Sequence, residues 1–359
     1  MLKKSEIPTP ALLLDLDAFE ANLRLMADHV KQFGKRLRPH AKAHKCVEIA
    51  RRQISAGAIG VCVATAAEAE LMSGAGIGGL LLTSPLADPR KMARVVATGA
   101  MVVADHVIQV EWYNAVARAA GRTVDVLVDL DVGDHRTGAA STEQAVEIAK
   151  AIDQASHLRL RGLQGYSVSG SHGATPEERM RISQGAFESA VTTRDALSGL
   201  GLATEILTGG STGTWDIDTK LAEVTELQAG SYVLMDLAYN KLALPFRRAL
   251  TVLTTVVSAN HDGFVTVDGG FKAFSTDRGY GPEAINLPGS RYRWGGDEFG
   301  YLDTASKLNL GNKIEFIPPH CDPTVNLYDR IYVCQGDGVE AVWPVKSAAV
   351  AGGPPASCC

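Results

Sequence analysis

Val124-Asp125-Val126-Leu127-Val128-Asp129-Leu130 is a strongly β-branched run of strand length, and a helix is predicted behind it over Thr142–Gln154. The same strand-then-helix unit returns on both sides. Upstream lie apolar strands Leu37–Lys42, Ile59–Ala64, Gly79–Thr83 and Met101–Ala104. Their helices are Cys46–Ala56, Ala66–Ser73, Pro89–Ala97 and Val107–Ala120, the first two stopped at Gly57 and Gly74. Downstream lie Leu160–Tyr166, with helix Pro176–Ser198, and then Thr204–Leu207 and Glu226–Gln228. Eight such strands in succession predict a closed parallel (β/α)8 barrel over residues 16–245. An open doubly wound sheet is the competing arrangement, but no GxGxxG fingerprint follows any of the strands.

Ahead of the first barrel strand, Phe19, Leu23, Met26, Val30 and Phe33 recur at steps of three and four, which makes Ala18–Phe33 an amphipathic helix. Outside the barrel the texture changes. From Thr251 onward helix-period segments give way to short strands: Leu250–Ser258, Phe264–Asp268, Lys313–Ile317, Arg330–Cys334 and Gly338–Trp343. Turn signals such as Asn260-His261-Asp262-Gly263 separate them. Residues 1–15 and 246–346 are therefore assigned to a C-terminal all-β domain, and the small-residue tail 347–359 is expected to be flexible.

Composition narrows the class. A chain of 359 residues with 46% hydrophobic and 21% charged residues is an ordinary globular protein, long enough for two domains. The net charge of −5 argues against nucleic acid as a partner. No apolar run reaches the roughly 20 residues needed to cross a bilayer, and the N-terminus lacks the apolar core of a secretory signal. Six scattered cysteines without a CxxC pair read as reduced thiols of a cytoplasmic protein. A small molecule is the expected partner.

Arg38-Pro39-His40-Ala41-Lys42-Ala43-His44-Lys45 is the costliest stretch to bury. In an extended strand Arg38, His40, Lys42 and His44 share one face, and such a face requires an anionic partner or solvent. Active sites of parallel barrels lie at the C-terminal ends of the strands. Strand one ends at Lys42, strand five in Asp131–Gly138, strand six in Tyr166–His172, strand seven in Thr208–Thr214 and strand eight in Gly230-Ser231-Tyr232. The strand-seven loop Thr208-Gly209-Gly210-Ser211-Thr212-Gly213-Thr214 combines three glycines with four hydroxyl residues, a composition suited to cradling phosphate. A lysine beside a phosphate site suggests pyridoxal 5'-phosphate.

These motifs carry a resemblance. The basic stretch, together with Asp131-Val132-Gly133-Asp134-His135-Arg136-Thr137-Gly138, resembles the fold-type III pyridoxal phosphate enzymes related to alanine racemase. Tyr292–Gly300 and Pro318–Leu327 look like the D-threonine aldolase branch, whose relatives include D-serine dehydratases and 3-hydroxy-D-aspartate aldolases. The resemblance implies that Lys42 carries the cofactor covalently, that Arg136 and Tyr166 approach its ring, and that Gly210, Thr212, Gly213, Gly230 and Ser231 bind its phosphate. It implies that His320 and Asp322 hold a divalent cation, and that the subunits form a homodimer. An HxD pair in an extended segment puts both side chains on one face and Cys321 on the other. The N/O donor set suits manganese, magnesium or cobalt better than zinc. His172 is the candidate base, and Asp297 a further candidate for supporting the metal. The implied reaction is retro-aldol cleavage of D-threonine and related D-β-hydroxy-α-amino acids to glycine and an aldehyde. A dehydratase of the same fold, or a non-catalytic pyridoxal phosphate carrier, are the competing readings.

Overall fold

The computed structural model describes residues 2–346, so the tail assigned to 347–359 lies outside the described residues. Internal contacts divide the chain into two units. One comprises Met26–Lys42 and Ile49–Gly230; the other takes residues 2–25, Ala43–Glu48 and 231–346. Strand β1 (Ala11–Asp15) belongs to the second unit, and the eight strands that follow it in sequence belong to the first.

Those eight are β2 (Arg36–Leu37), β3 (Cys62–Val63), β4 (Leu81–Leu82), β5 (Val102–Ala104), β6 (Val124–Asp129), β7 (Leu158–Gly165), β8 (Ile206–Gly209) and β9 (Glu226–Leu227). Six of them run in parallel in the order β2-β9-β8-β7-β6-β5, and β3 pairs in parallel with β4. Single parallel bridges His40–Cys62 and Leu81–Met101 join the two pieces. The circuit is thereby closed, which is the barrel the sequence predicts and not an open sheet. Its interior includes a layer of Cys62, Leu81, Val103, Leu127 and Ile206, all buried. Local chemistry delimits the helices between strands. Asp88 caps Pro89–Thr98, which ends at Gly99 in the left-handed region, while Ser141 caps Thr142–Gln154 and Thr175 caps Pro176–Gly199.

Strand one corrects one expectation. Its strand ends at Leu37, and Ala41–Ala43 form a 3-10 turn, so Lys42 and His44 do not continue a strand face with Arg38 and His40. Pro39 has no N–H for a ladder, and His40 Nδ1 lies 3.4 Å from the Lys42 N–H, favouring the turn. Arg38 is not held by phosphate either. It is 6% exposed and forms a fork-like pair with Glu226 (Nε–Oε2 3.0 Å, Nη2–Oε1 3.3 Å), with Gly79 O as a further acceptor.

In the second unit β1 pairs antiparallel with β10 (Leu250–His261) and parallel with β16 (Arg330–Gln335). The sheet runs β13-β14-β11-β10-β1-β16-β17, where β11 is Phe264–Val267, β13 Arg291–Trp294, β14 Gly300–Asp303 and β17 Gly338–Pro344. Strand β15 (Lys313–Ile317) also pairs with β10, and the short β12 (Glu283–Ala284) pairs with β15. The Tyr292–Gly300 motif is the β13–β14 hairpin. Gly300 is required there because a Cβ would stand 2.2 Å from the Tyr292 ring. Asp297 lies in the hairpin's turn with Lys272 Nζ at 3.8 Å.

Candidate active site

A cavity of about 320 Å3 in the barrel unit is lined by His40, Lys42, Thr83, Arg136, Gln164, Tyr166 and Gln228, among others. Lys42 Nζ stands 5.7 Å from the centre of the Tyr166 ring, and the Arg136 guanidinium carbon stands 5.4 Å from the same centre. Two cations within about 6 Å of one ring centre are each weakly attracted to the ring, but they also repel one another. The wall thus favours a ligand that carries negative charge.

The floor is a fixed polar network. Gln164 donates from Nε2 to Thr83 O at 2.9 Å and to Asp129 Oδ1 at 2.8 Å, and accepts from Gln228 Nε2 at 3.0 Å. Thr137 Oγ1 donates to the other Asp129 oxygen at 3.0 Å. Burial pushes the Asp129 carboxyl up to about 6, despite the hydrogen bonds from Gln164 and Thr137. His40 Nε2 lies 3.0 Å from Thr83 Oγ1.

The loop after β8 is a close-packed turn. Gly210 adopts φ +75°, and Gly213 lies so close to Ser171 that a Cβ would fall 2.0 Å from its carbonyl oxygen. Buried Asp218 accepts from the Ser183 and Thr214 hydroxyls, and burial raises its carboxyl to about 7. Thr212 is buried, and its hydroxyl has no hydrogen-bond partner among the described residues. A buried hydroxyl is rarely left so. It fits an external acceptor such as a phosphate, and with Lys42 in the same unit this residue set suits pyridoxal phosphate. Gly230 serves a packing purpose: a Cβ there would stand 2.6 Å from His40 O. His172 is half-buried and follows the short helix Val168–Ser171.

His320 and Asp322 belong to the other unit, and their local structure departs from the expected extended segment. His320 caps a helix over Cys321–Val325 that contains Asp322 in its first turn. Pro323 is harmless there, because first-turn N–H groups have no intrahelical acceptor, and Asp236 accepts from the Cys321 N–H at 2.8 Å. Asp322 Oδ1 accepts from Ser231 Oγ and from Cys321 Sγ, each at 3.2 Å. The Ser231 hydroxyl is thus committed to the HxD pair. His320 Nδ1 lies 2.7 Å from Asp277 Oδ2, so that carboxylate fixes the ring. Among the described residues no three His, Cys, Asp or Glu side chains are already clustered as a metal-binding set. The pair offers an imidazole and a carboxylate, a donor set compatible with a hard or borderline divalent cation that keeps water ligands.

The alanine racemase N-terminal domain pattern matches residues 14–237. The chain belongs to this family. A putative serine dehydratase domain pattern matches residues 249–334 of this racemase-type chain. A 3-hydroxy-D-aspartate aldolase of Paracoccus denitrificans (strain Pd 1222) is 35% identical, with 96% of this chain and 93% of that protein covered. A D-threo-3-hydroxyaspartate dehydratase of Delftia sp. (strain HT23) is 28% identical over 94% and 97%. The crystal structure of a D-threonine aldolase from Filomicrobium marinum superposes with a TM-score of 0.94 at 37% identity, covering 96% of each chain.

Several residues of this family member escaped the sequence reading. Asp129 is a carboxylate inside a run of valines and leucine, and Gln164 stands two places before Tyr166 in the strand reading; both were visible as polar breaks in apolar strands. Asp277 lies 43 positions from His320 and had no local signal.

Proposed function

We propose that the chain is a pyridoxal phosphate-dependent lyase that cleaves the Cα–Cβ bond of D-threonine and related D-β-hydroxy-α-amino acids, releasing glycine and an aldehyde. The cavity that gathers Lys42, Arg136 and Tyr166 is the observation that carries it. When bound, the cofactor supplies an electron sink for the pair left at Cα. Lys42 provides the amine that holds the cofactor, and its Nζ returns as a proton donor once substrate has taken that place. Arg136 and Tyr166 orient the ring from one side. Thr212, with the backbone of the Gly210–Thr214 turn, donates to the phosphate. His172 is the base that takes the proton of the substrate β-hydroxyl. As Cα–Cβ breaks, that oxygen becomes the carbonyl of the aldehyde, and Cα regains a proton to give glycine.

His320 and Asp322 are assigned to a divalent cation, manganese foremost with magnesium or cobalt as substitutes. Such an ion would lower the pKa of a bound hydroxyl. The carboxylate at Asp322 favours aldol cleavage over dehydration, since a thiolate in its place would favour zinc. The 35% identical 3-hydroxy-D-aspartate aldolase supports the same bond cleavage on a second substrate. The dehydratase is the second reading, favoured by the match over residues 249–334. The same proposal makes the protein a cytoplasmic homodimer; no helix among the described residues is long and apolar enough to cross a membrane.

The test is a substrate panel. Glycine, ammonia and 2-oxo acids are quantified from D-threonine and 3-hydroxy-D-aspartate, with and without manganese, for the wild type and for Asp322→Ala. Glycine that appears only with manganese, and not in the variant, supports the reading. A 2-oxo acid with ammonia transfers it to the dehydratases.

A further inference from the structure

Arg179 is 5% exposed, yet its Nε has no hydrogen-bond partner, and no ion pair reaches its guanidinium among the described residues. An arginine cannot shed its charge in a protein, and a guanidinium this little exposed with no carboxylate against it is suited to an anion. The other buried arginine of this unit shows the usual solution: Arg38 has Glu226. Among the described residues Arg179 has no such carboxylate.

Its position says which anion is missing. Arg179 stands in the first turns of helix Pro176–Gly199, and its stem covers Gly173, where a Cβ would meet Arg179 Cγ at 3.0 Å. One turn on, on the same helix face, Ser183 is also buried and donates to Asp218. Asp218 in turn accepts from Thr214 and lies against Gly210. On the other side of Gly173, the Ser171 carbonyl lies against Gly213. On the loop side Ser171 thus touches the Gly210–Thr214 turn directly, and on the helix side Ser183 reaches it through Asp218. That turn contains the other unpartnered buried donor of the region, the Thr212 hydroxyl. A cation and a hydroxyl, both buried and unpaired beside one turn, are complementary to a single multivalent oxyanion.

We infer that Arg179 is the cationic binding residue for the cofactor phosphate, acting with Thr212. The inference rests on the reading of the chain as a pyridoxal phosphate enzyme and deepens it: the turn supplies neutral donors, and Arg179 supplies the charge. A guanidinium gives the charge-assisted, forked donor pattern that phosphate accepts.

The test compares two ligands that differ only in the phosphate. Cofactor-free full-length protein is titrated with pyridoxal 5'-phosphate and with pyridoxal, following absorbance and fluorescence. Wild type, Arg179→Met, Arg179→Lys and Thr212→Val are compared, and circular dichroism confirms that each is folded. Arg179→Met is expected to weaken pyridoxal phosphate binding by roughly 10- to 100-fold and to leave pyridoxal binding within about twofold. Arg179→Lys, which keeps the charge, recovers part of the loss. Inorganic phosphate is expected to raise the melting temperature of the cofactor-free wild type and not that of Arg179→Met. Equal loss for both ligands, or no loss for either, overturns the role of Arg179 while leaving the cofactor assignment intact. A wild type that binds pyridoxal phosphate no better than pyridoxal overturns the phosphate site itself. A wild type that binds neither sinks the reading of the chain as a pyridoxal phosphate enzyme. Should Arg179→Met not fold, Arg179→Gln, which also removes the charge, takes its place: wild-type discrimination between the two ligands in Arg179→Gln contradicts the role of Arg179.

Discussion

Asp277 Oδ2 lies 2.7 Å from Nδ1 of His320, and this contact directs the other ring nitrogen, Nε2, away from the carboxylate. Histidines that bind metals commonly donate their second N–H to such a partner, which fixes the tautomer and makes the ligating nitrogen more basic. Asp277→Asn should therefore lower manganese affinity by about 10- to 100-fold with the fold intact. Metal titration of the metal-free protein checks this, and unchanged affinity would detach Asp277 from the assigned cation site.

Lys42 lies within the 3-10 turn Ala41–Ala43 and lines the cavity with Tyr166, whereas Lys45 follows the turn and does not line that cavity. Lys42→Ala should abolish the visible-edge absorbance of covalently bound cofactor and reduce turnover by at least about a thousandfold, as loss of a covalent catalytic group does. Lys45→Ala should retain the absorbance. The opposite pattern in the spectra of the two variants would exchange their roles.

Glu226 neutralises Arg38 inside the barrel and also lies 3.2 Å from Arg36. Glu226→Gln leaves the buried guanidinium of Arg38 without its counter-charge and should destabilise the protein by about 3–5 kcal/mol. The double variant Arg38→Met/Glu226→Leu should recover most of that loss. Urea unfolding of the three proteins measures it; additive losses would show that the pair is not coupled.

Burial pushes Asp129 up to about 6, above the ordinary carboxylate range. A raised carboxyl pKa means that the folded state binds a proton which the unfolded chain has already released. Its contribution is therefore fully present below about pH 4 and is lost as pH rises through about 6, a change of roughly 2–3 kcal/mol. Asp129→Asn should remove this slope and gain stability relative to wild type between those two pH values. Unfolding free energies of the cofactor-free proteins at both ends of the window decide it. A wild-type-to-variant difference that does not move with pH would place the ionised form in the fold.

Much of this was legible in the sequence because its causes are local. Apolar runs such as Val124–Asp129, and caps such as Asp88, Ser141 and Thr175, identify strands and helix starts without knowledge of their partners. The barrel follows from their succession. The departures came where a distant partner decides the outcome. Arg38 looked like part of an anion-binding face until Glu226, 188 positions away, took its charge. The HxD segment looked extended until the Asp236 carboxylate, 85 positions away, capped the Cys321 N–H and helped to start a helix. Arg179 gave no signal at all, since an arginine early in a long helix reads as solvated, and only its burial without a partner for Nε distinguishes it.

The central claim is the bond that breaks. Full-length protein loaded with pyridoxal phosphate and manganese is incubated with D-threonine, and all carbon products are quantified. The proposal predicts glycine and acetaldehyde in equal amounts, without ammonia. Formation of 2-oxobutanoate with ammonia, or no glycine at all, would contradict it.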